Sequence, residues 1–189
     1  RMYLVEVGNG EGQIGAGGYY PSYSEYIKAL DKGWHLAPTN NQDNHKGRWG
    51  NANDARDVIL TDDFSEQGIY QAMRDMRIYA TEDKNLEIGY TVNGMPLGSI
   101  ITEVPEKLTF DISFYDPDPT DSIKKVELVV NSGKVAYKWD SAAELANGSV
   151  SVELAPEYSY YFVRITQGDG DIAVTAPVWV GESLKLGIS

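Results

Sequence analysis

The chain contains no cysteine and only two histidines, His35 and His45. Disulfides and thiolate metal sites are therefore excluded, and a histidine-rich metal centre cannot be assembled from this sequence alone. No apolar run approaches the roughly 18 residues that would span a bilayer, and no basic, apolar, small-residue series at the start reads as a signal peptide. Cations are also scarce. Lysine and arginine number 16 against 28 acidic residues, for a net charge of -12, and both the first 82 residues and the remainder carry an acidic excess. Neither half offers the basic stripe that nucleic-acid backbones require, so binding to DNA or RNA backbone is not expected.

What is present is enough to fold. With 189 residues, 42% of them hydrophobic, the chain can build one generous domain or two small ones. Residues 2–7 read as a buried strand with no cap or lead-in before them, from which we expect a further portion upstream. A glycine-rich loop follows through Gly18. Residues 22–33 read as a helix, with Ser22 as N-cap, Glu25 completing a capping box and Gly33 as the stop. A short extended piece at 34–38 leads into a polar loop at 39–54, then a short strand at 58–60. A second helix is expected over 65–77, because Ile69, Ala72, Met73 and Met76 fall at helical spacing on one face. This rhythm is that of an α/β barrel or sheet, with too few units to close one.

From about Leu86 the pattern changes to period-2 alternation broken by Gly, Pro, Asn and Asp clusters, which predicts strands at 86–93, 108–115, 124–131, 134–139, 149–154, 158–166 and 172–180. Leu108, Phe110, Ile112 and Phe114 point one way and Thr109, Asp111 and Ser113 the other, so one face of that strand needs a partner sheet. Asn131-Ser132-Gly133 suits a tight hairpin turn, and Pro177 belongs at an edge or bulge. The whole reads as α+β: a lead-in over residues 1–83, then an all-β, immunoglobulin-like or fibronectin-like sandwich over 84–189.

Chemistry concentrates in Gly33-Trp34-His35-Leu36-Ala37-Pro38-Thr39-Asn40-Asn41-Gln42-Asp43-Asn44-His45, which follows a predicted strand, the position of the catalytic rim in barrel-like folds. Asp43 and His45 are two apart. In an extended segment both would project to one side, where a carboxylate and an imidazole can bind a divalent ion. The plainer alternative is that Asp43 caps a turn, His45 lies at the surface, and Arg48 and Trp49 cover apolar surface.

The wider stretch resembles the closing motif of the PHP superfamily of metal-dependent phosphoesterases, in particular its CehA/McbA-like branch. The residues that carry the resemblance are Val5-Glu6-Val7-Gly8-Asn9, Leu30-Asp31-Lys32-Gly33-Trp34, Asn41-Gln42-Asp43-Asn44-His45 through Arg48-Trp49-Gly50, Ala72-Met73-Arg74, Arg77-Ile78-Tyr79-Ala80-Thr81-Glu82-Asp83, Val92-Asn93-Gly94-Met95-Pro96-Leu97-Gly98-Ser99 and residues 164–180. It implies that residues 1–83 are the C-terminal segment of a distorted β/α barrel whose His, Asp and Glu cluster holds divalent ions such as manganese, zinc or iron. Those ions polarise a phosphate ester and supply a hydroxide for its hydrolysis. Asp43 and His45 match the family's final Asp-x-His and would be metal ligands, with Asn44, Arg48 and Asn41 near the pocket mouth, where they would hold a phosphate oxygen.

The opening His-x-His pair and the intermediate ligands of that family have no counterpart in this sequence. Two residues on one tripeptide do not hold a catalytic metal tightly, so this chain alone is expected to be inactive, with its metal weakly held and its missing ligands on an upstream N-terminal half. The resemblance further implies a secreted or cell-surface bacterial protein. An incomplete barrel would expose apolar faces, so pairing with that missing half or self-association is expected. The competing function is a non-catalytic sandwich binding a glycan or a protein, with the first 80 residues as a structural lead-in.

Lesser candidates are His35, either a ligand or a packed ring, and Glu6 and Asn9, either site-lining or solvated. The acidic loops Asp116-Pro117-Asp118-Pro119-Thr120-Asp121 and Asp169-Gly170-Asp171 suit turns or calcium. The aromatics Tyr158, Tyr160, Tyr161, Phe162 and Trp179 suit core packing or a sugar-stacking face.

Overall fold

The structure, a computed structural model, describes residues 2–10 and 22–181. The chain enters as β1 (Leu4–Asn9), crosses through α1 (Ser22–Asp31) and returns as β2 (Ala37–Asn41), which lies parallel to β1. Most of the expected glycine-rich loop lies outside the described residues. So does the residue that precedes α1, because Ser22 is itself helical, and Glu25 pairs with Lys28 at 2.7 Å rather than serving a capping box. The helix stop is as expected. Gly33 takes φ +82°, its amide donates to Leu30 O and that of Trp34 to Ala29 O, the left-handed ending that glycine adopts without strain.

β2 starts and ends later than the extended piece expected at 34–38. It takes in Thr39 and Asn40, which are polar yet buried. Most of their polar groups have partners: Thr39 Oγ1 accepts from Asn41 Nδ2, the Asn40 amide nitrogen Nδ2 donates to Thr81 O at 3.2 Å, and the Asn40 backbone N–H donates to an Asp57 carboxylate oxygen at 2.7 Å, while Asn40 Oδ1 is left without a donor. After the loop come β3 (Arg56–Ile59), α2 (Glu66–Arg74) and β4 (Ile78–Thr81). Ser65 caps α2 by accepting from the Gly68 amide. The helix ends three residues before the expected Arg77, because Met76 turns left-handed at φ +56° and redirects the chain into β4.

The rest is strand-rich: β5 (Glu87–Val92), β6 (Met95–Pro96), β7 (Ile100–Ile101), β8 (Leu108–Tyr115), β9 (Ile123–Val130), β10 (Lys134–Trp139), a short helix α3 (Ala142–Leu145), β11 (Ser149–Leu154), β12 (Tyr160–Gln167), β13 (Ile172–Thr175) and β14 (Val178–Val180). One four-stranded sheet runs β11-β8-β5-β6. An eight-stranded sheet runs β10-β9-β12-β13-β4-β3, with β14 on β12 and β7 on β14. The segment expected as one strand over 172–180 is two, since Pro177 interrupts the ladder and its carbonyl accepts from Gly98 N instead. The Asn131-Ser132-Gly133 turn joins β9 to β10 with Ser132 and Gly133 both at positive φ.

The two sheets face each other across a core that runs from Val7 to Val180. In β8, Leu108, Phe110, Ile112 and Phe114 are buried in strict alternation. Phe110 meets Tyr161 across the gap at 4.9 Å between ring centroids, and the Tyr90 hydroxyl donates to Tyr161 O. By contrast Tyr160, Tyr161, Phe162 and Val163 of β12 are all buried without alternation, because α1 covers the outer face of this sheet. Phe162 touches Tyr23 and Tyr26 of α1, and the Asp31 carboxylate accepts from both the Tyr160 hydroxyl and the Ser132 amide at 2.9 Å. These rings and Trp179 are core, not a sugar-stacking face.

The turn near residue 83 separates β4 from β5, and the large sheet continues across it. β4 pairs antiparallel with β13, so Ala173, Val174 and Thr175 face Thr81, Ala80 and Tyr79. The lead-in thereby covers what would be an open edge. Gly98 fits against the α2–β4 turn so closely that a Cβ there would lie 2.4 Å from Met76 O, and its φ of +83° suits glycine alone. Among the described residues no helix is long and apolar enough to cross a membrane.

Candidate functional site

At the carboxyl end of β2, which lies parallel to β1, a shallow cleft of about 320 Å³ is lined by residues 40–44, Trp49, Gly50 and 55–57. Its foundation is Glu6 in β1. One Glu6 oxygen accepts from Asn9 Nδ2 at 2.8 Å and the other from Asn41 Nδ2 at 2.9 Å, so two amides fix the carboxylate across both strand ends. Asn41 also donates to Thr39 Oγ1. Glu6 and Asn9, both half-buried, are thus tied to each other and, through Glu6, to Asn41 beside the cleft.

The loop that follows is organised by its own side chains. Asn44 Oδ1 accepts from the Lys46 and Arg48 amides, and Asn44 O accepts from Trp49 Nε1. Gln42 bridges the loop by donating to Asn53 O and accepting from Gly50 N, while Asn53 Nδ2 donates back to Gly10 O. Asn44 therefore spends its carbonyl oxygen on shaping the turn. Arg48 is exposed, with one contact to Asn51 O at 3.4 Å.

Asp43 and His45 do meet, with His45 Nε2 3.0 Å from Asp43 Oδ1, but not for the reason expected. The segment is not extended: Asp43 sits at φ +46°, a left-handed turn that aspartate tolerates better than most residues. Their side chains are 52% and 83% exposed, and no third His, Asp or Glu joins them within ligating distance among the described residues. Two exposed donors that bond each other do not make a metal site. The donor set in this chain therefore does not fit a catalytic ion unaided, and no reaction step is derived through one. His35 does not line the cleft, and its ring packs on Trp179 at 4.6 Å.

Asp57 belongs to the cleft and was not legible in the sequence, because only the β3–β4 pairing brings it beside β2. Its carboxyl is raised to about 6, chiefly by lost hydration and further by the Glu6 charge, against the Asn40 amide that holds it down. Asp57 keeps contact with solvent at the rim, so screening leaves this a statement about protonation rather than stability. A larger hollow of about 860 Å³ beside α2 contains none of the predicted site residues.

No protein-family model matches the chain. No solved structure matches it either. Among curated proteins it is similar to an uncharacterized protein of Chlamydia muridarum (strain MoPn / Nigg), 21% identical over 137 residues. That match takes in 65% of this chain and 22% of the relative, so the chain spans about a fifth of the length of the protein it matches.

Proposed function

We propose that this chain is the C-terminal part of a PHP-type metal-dependent phosphoesterase: the end of a β/α barrel followed by an immunoglobulin-like sandwich. The observation that carries this reading is the Glu6, Asn9, Asn41 and Asp43 set at the carboxyl ends of two parallel strands joined by a helical crossover. In barrel and open-sheet α/β folds that rim is where catalytic groups gather. The strand order suits the second half of the proposal. β5, β8 and β11 on one sheet and β9, β12 and β13 on the other correspond to the A, B, E and C, F, G strands of such sandwiches, with β10 beside β9.

Under this reading Asp43 and His45 supply two metal ligands, and the remaining donors come from the upstream portion of a secreted or cell-surface protein. Arg48 and the Asn44 Nδ2 would hold phosphate oxygens while Asn44 Oδ1 shapes the loop, whereas Asn41, whose Nδ2 already donates to Glu6 and Thr39, would brace the rim. Phosphate-ester hydrolysis belongs to the assembled protein, and the chain by itself is inactive. The test is hydrolysis of a generic phosphomonoester and phosphodiester by the full-length gene product with manganese or zinc. Turnover that falls by about 100-fold or more in an Asp43→Ala, His45→Ala variant supports the reading, on the scale at which loss of a catalytic ion acts. Turnover that survives the double substitution overturns the assignment of these two residues.

A further inference from the structure

Three segments far apart in sequence meet at one end of the sandwich: the turn after β4, the loop between β8 and β9, and the end of β12. They place one carboxylate oxygen from each of Asp83, Asp116 and Asp121 within 4.8 Å of the others. That is the span between opposite ligands around one ion with oxygens at about 2.4 Å.

A second, independent observation lies in Gln167, which is 1% exposed. Its amide sits inside the cluster, with Nε2 2.7 Å from an Asp116 oxygen and 3.0 Å from an Asp83 oxygen. Its carbonyl oxygen Oε1 is sealed from solvent and accepts from nothing. A buried acceptor without a donor is costly. With a cation between the carboxylates, a half-turn of the same amide would give up the two Nε2 bonds and present a neutral oxygen to the ion. One oxygen of Asp121 is likewise sealed and unpartnered.

The surrounding field is strongly negative. Asp169 and Asp171 stand nearby, and Asp121 is pushed up to about 6 by lost hydration and then by Asp169, Asp116, Asp83 and Asp171. Asp116 and Asp171 are raised as well, both chiefly by lost hydration. Among the described residues none of these five forms an ion pair with a lysine or arginine.

We propose that Asp83, Asp116, Asp121 and Gln167 form a Ca²⁺ site that staples the β4–β5 junction to the loops at this end of the sandwich. The donors are all hard oxygens, three of them charged, and the three aspartates sit on a turn and a loop that can adjust to a large ion. That set favours calcium over zinc, which prefers nitrogen and sulfur, and over magnesium, which demands a rigid octahedron. The site is independent of the β1–β2 cleft. It would couple lead-in to sandwich, because Asp83 lies just after β4 while Asp116 and Asp121 belong to the β8–β9 loop and Gln167 ends β12.

The experiment is calorimetric titration of calcium chloride into the whole EDTA-treated chain, with chemical denaturation in parallel. A single saturable site is expected. The unfolding equilibrium constant should fall about 10- to 100-fold in about 10 mM calcium, as mass action gives for an affinity of ~10⁻⁴–10⁻³ M. Magnesium at the same concentration should give a much smaller change. Asp121→Asn removes one of several like charges, so it should be at least as stable as the parent without calcium and should lose the calcium response. Asp116→Asn serves the same purpose if that variant does not fold. Absence of heat and of stabilisation in the folded parent, or a full calcium response in the variant, overturns the proposal.

Discussion

Truncating Phe162 to alanine is expected to lower the unfolding free energy by about 3–5 kcal/mol, the range found when a buried aromatic leaves a cavity. Phe162 is fully buried between β12 and the helix: it stacks on Tyr160 within its own strand and contacts Tyr23 and Tyr26 of α1. The helix has few ways to follow the ring inward, because Asp31 is already tied to Tyr160 and Ser132. Urea denaturation measures the loss, and near-ultraviolet circular dichroism of the tyrosines should weaken with it. A cost below about 1 kcal/mol would mean that α1 does not cover this face of the sheet.

Replacing Arg164 by alanine should cost about 3 kcal/mol at neutral pH, because it strands a buried charge. The Glu127 side chain is only 6% exposed and accepts from Arg164 Nε at 2.9 Å, while Lys125, 35% exposed, holds its other oxygen at 3.1 Å. Arg164 also donates to the Tyr23 hydroxyl and lies over its ring, so the same change loosens α1. The pH dependence has a definite sign. Burial alone would raise the Glu127 carboxyl, yet Arg164 and then Lys125 outweigh burial and hold it below its ordinary 4.5. A depressed folded-state value contributes stability that is present above the unfolded value and lost as pH falls through the folded one. Without Arg164 burial prevails, Glu127 takes up its proton sooner, and the deficit of the variant should shrink as pH falls below about 4.5. A deficit that is constant with pH would assign the loss to packing alone.

Local rules read the elements whose burial is one-sided or whose ends carry a signal. β8 alternates as its sequence does, Gly33 ends α1, and Ser65 begins α2. They fail where tertiary contacts decide. Ile78–Thr81 has no alternation because all four residues are buried between two neighbouring strands, and it follows a helix whose apolar spacing runs on into Met76. Asn40 reads as loop because nothing nearby in sequence announces that Thr81 and Asp57 will bond it. The site divides the same way. The contact between Asp43 and His45 is local and was legible, whereas Asp57 enters through the pairing of β3 with β4. The acidic loop at 116–121 suited a turn or calcium by sequence, and only the fold brings Asp116 and Asp121 against Asp83.

The central claim is that the Asp43–His45 turn completes a metal cluster begun by residues upstream. It is tested most directly by the metal content of the purified full-length gene product, by elemental analysis, beside its Asp43→Ala, His45→Ala variant and beside this chain. The account predicts stoichiometric manganese, zinc or iron in the full-length protein, a marked deficit in the variant and none retained by the chain alone. Equal metal in the full-length protein and the variant, or no metal in either, would contradict it.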